Sequence, residues 1–453
     1  MLNVEQTWRT GLAHLAANRL TDAESCFRLV VSSRPDFAAA HYHLGVVLRL
    51  RRQWREAGQA FRTAIKLAPD SARAYTGLGA VLDRLGQTAE AEARLRESVA
   101  RDPDAKEAWL FLADLLRGKG ELGESRVIYE TLLTKYPGDA DARFGRGFLN
   151  LLQGDLASGW QDYEFRQARR AIDPALSPQW RGEDPAGRTL LVYAEQGIGD
   201  TIQFLRYAPL LARKGARVLA AVPVPIMELA SRVEGVAEVL QPSPLLPRFD
   251  YCAPLASLPL FFGTVLETIP WDGPYLAPPP GANPVALPAN GTTKLTVALA
   301  WAGNPDHPND HNRSMPVAAI RPLLEIPNIS WRILQKGAGA NQLEAYADIT
   351  RLGDALNNFS DIANVICSAD LVITVDTSFC HLAGALGRPV WTLLSYAPDW
   401  RWLLNRTDSP WYPTMRLFRQ PRPRDWPVVI SEVAEALRQI VPPPREAWGR
   451  GTA

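Results

Sequence analysis

Two short stretches hold residues whose types and spacing could do chemistry. The first is VDTSFCHLAGALGRPVWTL, residues 375–393, where Asp376 and Thr377 close an apolar, strand-like run and Ser378 opens a helix-like one. The first amides of such a helix have no intrahelical partners, and that end attracts phosphate. His381 falls one turn into the helix, and Ala383, Gly384 and Ala385 permit close packing. The same residues also read as a capped helix in which Asp376 and Thr377 satisfy its amides and His381 is a core histidine. For His381 taken alone, that second reading is the preferred one.

The second stretch is EQGIGDTIQFLRYAPLL, residues 195–211. A carboxylate at a strand-to-helix turn, here Asp200, can take the proton of an attacking hydroxyl. Gly197 and Gly199 keep side chains away and let a substrate approach the backbone. Alternatively, Asp200 caps a helix that begins at Thr201. The segment is not a dinucleotide fingerprint, because Ile202 stands where a third glycine belongs.

Further polar groups follow two other strand-like runs. In WAGNPDHPNDHNRSMP, residues 301–316, Arg313 and Ser314 are the expected phosphate contacts, since a guanidinium fork fits phosphate oxygens and always stays charged. Asn304, Asp310 and His311 could touch a sugar. Asp306, His307, Asp310 and His311 also offer metal-ligand types, but no DxD stands at a strand end, and the expectation is a site with no metal. Lys336, after the ILQ run, is a second phosphate candidate. Trp400, Trp402, Trp411 and Tyr412 lie in one short span; they could line a substrate wall, although core packing is expected for at least two of them.

The elements around these residues come in two styles. From about residue 187 the chain alternates apolar runs (TLLVYAE, ARVLAAVP, VAEVLQP) with helix-like stretches, and the pattern restarts with LTVALAWAG, ISWRILQKG and ADLVITVDT. Such alternation predicts parallel sheets covered on both faces, in two lobes with a ligand cleft at the carboxyl ends of their strands. Pro/Gly-rich segments, IDPALSPQWRGEDPAG and IPWDGPYLAPPPGANPVALPANGTT, read as connectors. The expected divisions are a repeat array over 1–170, a first lobe over 171–280 and a second over 281–453.

The first third is periodic. Pro35, Pro69, Pro103 and Pro137 are 34 residues apart, Gly11, Gly45, Gly79 and Gly147 share that grid with Ala113, and Phe27, Phe61 and Leu95 follow Ala23, Ala57 and Ala91. Small residues let paired helices approach, a large one fills the gap, and proline ends the second helix. This grid resembles the tetratricopeptide repeat, with Phe144 to Arg166 as a degenerate capping unit. Stacked repeats make an α-solenoid whose groove suits a peptide; bracing of the enzyme is the alternative.

Over about residues 186–440 the chain resembles the heptosyltransferase superfamily, glycosyltransferase family nine, through the D-T-S-x-x-H-L-A-x-A-x-x-x-P string and the Gly-x-Gly-Asp segment. The resemblance implies a twin-Rossmann GT-B fold and an inverting transfer from a nucleotide-diphosphate sugar, which is a substrate and not a cofactor. Asp200 is then the general base, and Asp376, Thr377, Ser378 and His381 lie at the donor. The domain order is that of the O-linked N-acetylglucosamine transferases, in architecture only, and suggests a protein acceptor. Heptosyltransferases have no such repeats, so a lipopolysaccharide acceptor is not implied; an enzyme acting on a glycolipid or polysaccharide, or a non-catalytic scaffold, are the alternatives.

With 49 Lys plus Arg against 48 Asp plus Glu, no nucleic-acid partner is indicated. No apolar run is long enough to span a bilayer, and four scattered cysteines without a CxxC fit a reducing bacterial cytoplasm.

Overall fold

The computed structural model describes residues 3–169, 178–243, 246–280, 294–307, 309–336, 343 and 349–441. Much of the two connectors lies outside these residues. Contacts divide the chain into two compact units, Met1–Leu149 and Asn150–Ala453.

In the first unit, helices pair along the chain: α1 (Val4–Ala16) with α2 (Leu20–Ser33), α3 (Ala38–Leu50) with α4 (Trp54–Leu67), α5 (Ala72–Arg84) with α6 (Thr88–Arg101), and α7 (Lys106–Gly118) with α8 (Leu122–Lys135). This is the tetratricopeptide solenoid. The 34-residue grid has a steric cause. An added Cβ would sit 2.8 Å from the Phe61 ring at Gly45, 2.5 Å from it at Gly77, and 2.6 Å from Leu95 at Gly79. Within each pair, the connecting turn needs one residue at positive φ; Asn18 and Arg52 adopt it at 55° and 61°, and Gly86 and Gly120 do so without a Cβ penalty. Each second helix ends on an extended residue (Arg34, Ala68, Asp102, Tyr136) that precedes the periodic proline, as the pyrrolidine ring requires. A ladder of ion pairs runs between successive second helices: Arg28 to Glu56 at 2.6 Å, Arg62 to Glu90 at 3.2 Å and Arg96 to Glu124 at 2.8 Å.

The second unit begins inside α9 (Ala140–Leu152) and takes in α10 (Leu156–Tyr163). The contacts therefore divide ahead of the boundary expected at residue 170. The reason is packing: buried Trp160 donates its indole N–H to the Thr264 carbonyl at 2.9 Å, and buried Arg166 pairs with Glu195 at 2.5 Å and Ser257 at 2.7 Å. The degenerate fifth unit is thus welded to the α/β region.

Two parallel sheets follow. The first has the order β3-β2-β1-β4, with β1 (Thr189–Tyr193) central and flanked by β2 (Arg217–Ala221) and β4 (Tyr251–Pro254); β3 (Val236–Leu240) is the edge. Helices α11 (Ile198–Leu205), α12 (Ala208–Arg213), α13 (Met227–Ala230) and α14 (Leu258–Phe261) belong to this lobe. The second sheet is ordered β10-β9-β8-β5-β6-β7, from β5 (Leu295–Ala300), β6 (Ile329–Ile333), β7 (Ile349–Arg351), β8 (Leu371–Val375), β9 (Val390–Leu394) and β10 (Met415–Arg419). Its helices are α15 (Asp310–Arg313), α16 (Val317–Leu324), α17 (Phe359–Cys367), α18 (Ser378–Ala385) and α19 (Trp426–Ile440), the last burying Val429, Val433, Ala436 and Leu437 as its periodicity predicts. Every residue of β8 and of β9 is buried, as expected for strands covered on both faces. In both sheets the strand order reverses beside the first strand, at β1/β4 and β5/β8. Ligands of open parallel sheets sit at such reversals, outside the carboxyl ends.

Candidate functional site

The segments after β1, β5 and β8 are joined by direct contacts, and α11 packs on α18. Gly199 is one point of close approach. A Cβ there would lie 2.8 Å from the His381 Cδ2 atom and 3.5 Å from the Ser378 Cα. The space that glycine frees is thus taken by the imidazole of the other lobe and not left open for substrate.

Asp200 sits on that first turn. Helix α11 starts at Ile198, earlier than the expected Thr201, because Gly197 is its cap residue. One Asp200 oxygen, Oδ2, accepts the Gly197 N–H at 2.8 Å, so the capping role is real. The other, Oδ1, is bound by the Arg401 guanidinium of the second lobe. One carboxylate is thereby both a cap and a cross-lobe ion-pair partner.

Thr377 is the cap residue of α18, and its hydroxyl accepts the Phe379 N–H at 3.3 Å. Ser378 is the first helical residue and lies beside Gly199. His381 is buried; it stacks on Trp402 with 5.2 Å between ring centroids, and its Nδ1 bonds the Tyr412 hydroxyl at 3.0 Å. Burial first, and then the charges of Arg401, Arg206 and Arg313, hold its pKa well below the ordinary value, so the ring is neutral. Asp376 shows the opposite effect: burial first, then the negative charge of Asp399, push its carboxyl up to about 6.

Arg313 reaches across the second sheet's reversal. Its Nη1 donates to the Asp376 carbonyl at 3.0 Å and its Nε lies 3.3 Å from Asp310. Gly303 makes room for it, since a Cβ there would be 2.6 Å from Nη2. Ser314 is used within its own loop: its hydroxyl donates to Asp310 at 2.7 Å and accepts the Gly303 N–H at 2.9 Å. Lys336 donates to the Leu356 carbonyl at 2.7 Å, and Gln335 accepts the amides of Trp301 and Ala302. Those two therefore brace the loop bases beside the crevice. His307 accepts the Asn309 N–H through Nδ1 at 3.1 Å, and burial first, then the charge of Arg313, hold its pKa below the ordinary value.

Trp400, Trp402, Trp411 and Tyr412 are all buried. They are packing residues and not a substrate wall. Trp400 meets Trp160 edge-on at 5.1 Å and Trp411 at 5.9 Å. The turn through Trp400–Trp402 ends on Leu403 at φ 51°, ψ −165°, a region nearly confined to glycine, which costs about 1–3 kcal/mol and is held by its surroundings. Ligand-type atoms of Asp376, Cys380 and His381 lie within 4.8 Å of one another. The Cys380 thiol donates to the Thr377 carbonyl at 2.8 Å, and burial first, then Asp376, raise its pKa well above the ordinary value. What the sequence reading missed is Arg401's pairing with Asp200 and Gln203, 201 and 198 residues away, which nothing in local spacing signals; Asp399, its third partner, is two residues away.

Comparison with known proteins agrees with both halves. Tetratricopeptide-repeat models match residues 36–104 and 84–144, and the model described as glycosyltransferase family 9 (heptosyltransferase) matches residues 347–422, which include the Asp376–His381 segment and Arg401. The chain thus carries tetratricopeptide repeats followed by a glycosyltransferase family 9 domain. Among individual proteins it is similar to Protein FlbA of Caulobacter vibrioides, 28% identical over 338 residues, covering 66% of this chain and 55% of that protein. The chain spans about half the length of this relative. Solved structures similar to it include PilW, described as a widely conserved type IV pilus biogenesis factor (20% identity, 38% of this chain and 80% of that one, TM-score 0.35), and a thermophilic TPR protein of Thermus thermophilus (18% identity, 38% and 93%, TM-score 0.34). No helix among the described residues is long and apolar enough to cross a membrane.

Proposed function

We propose that the chain is an inverting glycosyltransferase of twin-Rossmann GT-B type, with an acceptor-side lobe over 171–280 and a nucleotide-sugar lobe over 281–453. It moves a sugar from a nucleotide-diphosphate sugar to a protein held by the repeats, in a bacterial cytoplasm. The observation that carries this reading is a chain of contacts: Arg401 binds Asp200, the adjoining Gly199 meets His381, and Arg313 donates to the Asp376 carbonyl at 3.0 Å, which favours a carboxylate working beside a helix end that can hold an anion. Strand orders that reverse at β1/β4 and β5/β8 favour the fold assignment.

In this mechanism the donor diphosphate lies at the amino end of α18, near the Ser378 amide and the Arg313 guanidinium. Ser314 and Lys336 keep the flanking loops in place. The acceptor hydroxyl attacks the anomeric carbon from the opposite face. Its proton passes to Asp200, the new C–O bond forms as the bond to the diphosphate oxygen breaks, and the nucleoside diphosphate leaves with the bonding pair. A single displacement inverts the anomeric centre. Fixed positive charge and helix amides stabilise the leaving group, so no metal or cofactor is required.

The test combines a thermal-shift screen of UDP-, GDP-, ADP- and dTDP-sugars with turnover assays of Asp200→Ala. Binding of one donor with turnover that Asp200→Ala abolishes supports the reading; no binding of any nucleotide sugar leaves a scaffold. Removal of residues 1–140 should abolish transfer to protein while donor hydrolysis continues. Undiminished transfer by that truncation would shift the assignment to a glycolipid or polysaccharide acceptor.

A further inference from the structure

The geometry points to Arg401 as the positioning residue that sets the Asp200 carboxylate for proton abstraction, and so to contact between the lobes as the condition for an aligned base. This rests on Asp200 being the base. The guanidinium spans the two lobes: Nη2 binds Asp200 Oδ1 and Nε binds Gln203 Oε1, both on α11, while Nη1 donates to Asp399 Oδ1 at 2.7 Å. Two rings lie close to it, with the Trp400 centroid 4.3 Å and the Phe204 centroid 5.7 Å from its central carbon. The side chain is only 7% exposed. Trp400 is itself packed against Trp160 and Trp411, and the turn that aims Arg401 tolerates the unfavourable backbone of Leu403.

With Oδ2 on the Gly197 N–H and Oδ1 on Arg401, both oxygens of Asp200 have fixed directions. Each oxygen retains a second lone pair for a proton. Arg401 is not the proton carrier, because a guanidinium does not deprotonate in proteins. Nor is it free to serve the diphosphate: its charge faces two carboxylates, and Nε, Nη1 and Nη2 are all engaged. The second terminal nitrogen of Arg313, which faces no protein acceptor among the described residues, and the first amide of α18, at Ser378, are the groups for that task. Because Asp200 stands on the first lobe and Arg401 on the second, the carboxylate is oriented only while the lobes touch.

The test uses the full chain, the donor sugar nucleotide selected by thermal shift, and release of nucleoside diphosphate with water as acceptor. Arg401→Ala should lower kcat by about 100-fold and leave donor KM within about twofold, the pattern of a misaligned catalytic group. Arg401→Lys, which keeps the charge without the fork, should fall between. The double variant Asp200→Asn/Arg401→Ala should be no slower than Asp200→Asn alone, and guanidinium ion should restore part of the Arg401→Ala rate. A raised donor KM with kcat retained, or losses that multiply in the double variant, overturns the inference and makes Arg401 a donor contact. Should Arg401→Ala not fold, the same cycle with Arg401→Lys decides. Wild-type turnover by Asp200→Asn, or no turnover of any donor, would instead remove the base reading on which this depends.

Discussion

Gly199 and His381 are in contact across the two lobes so closely that the glycine has no room for a methyl group: the added carbon would lie 2.8 Å from the imidazole. The histidine cannot easily yield, because it is stacked on Trp402 and bonded to Tyr412. Gly199→Ala should therefore part α11 from α18, lower stability by about 1–3 kcal/mol and slow turnover more than it weakens donor binding. Calorimetry and kinetics on the same sample check this; an unchanged melting temperature would show that the lobes do not meet here.

Asp376 makes stability depend on pH in a definite direction. Its carboxyl is pushed up to about 6 from an ordinary 3.8, so the folded form holds a proton that the unfolded chain has released. Stability is therefore full below about pH 4, falls as pH rises toward 6, and stays lowered above that. Asp376→Asn should match wild type near pH 4 and exceed it at pH 7–8 by on the order of 1 kcal/mol, allowing for screening in an open crevice. Equal midpoints at all pH values would refute the assignment.

Arg313→Lys should raise donor KM about tenfold or more with a smaller change in kcat. Lysine keeps the charge but loses the fork that now bonds the Asp376 carbonyl. Isothermal titration with the nucleoside diphosphate measures the effect, and unaltered affinity would place the phosphate elsewhere.

Phe61 is held between Gly45 and Gly77 and is fully buried. Phe61→Ala should cost about 3–5 kcal/mol, and because repeats stabilise their neighbours the loss should spread through α3 to α6. Hydrogen exchange over residues 38–101 reads this directly. Protection unchanged outside α4 would contradict it.

The repeat array was legible because one steric solution recurs at a fixed interval: glycine against a ring, proline after the second helix. The Asp376–His381 string was legible for a related reason, since a strand end, a cap and a helix start follow within six residues. Less was visible where one side chain serves a distant element. Nothing near Lys336 reveals the Leu356 carbonyl its ammonium binds, and nothing near Arg401 reveals Asp200 and Gln203. The four aromatic residues near position 400 were ambiguous in sequence, because a stacking platform and a packed core use the same side chains. Trp160, far away in the chain, decides between them.

The ladder of Arg28–Glu56, Arg62–Glu90 and Arg96–Glu124 couples each arginine to an acid 28 positions ahead, in a chain whose period is 34. Both partners recur in register, so inserting one whole additional copy within the array would supply its own arginine to the next acid and its own acid to the previous arginine. Lengthening by unit duplication thus leaves no orphan charge, whereas a partial insertion would strand one at each junction. The scaffold is built to change its reach in steps of a complete repeat.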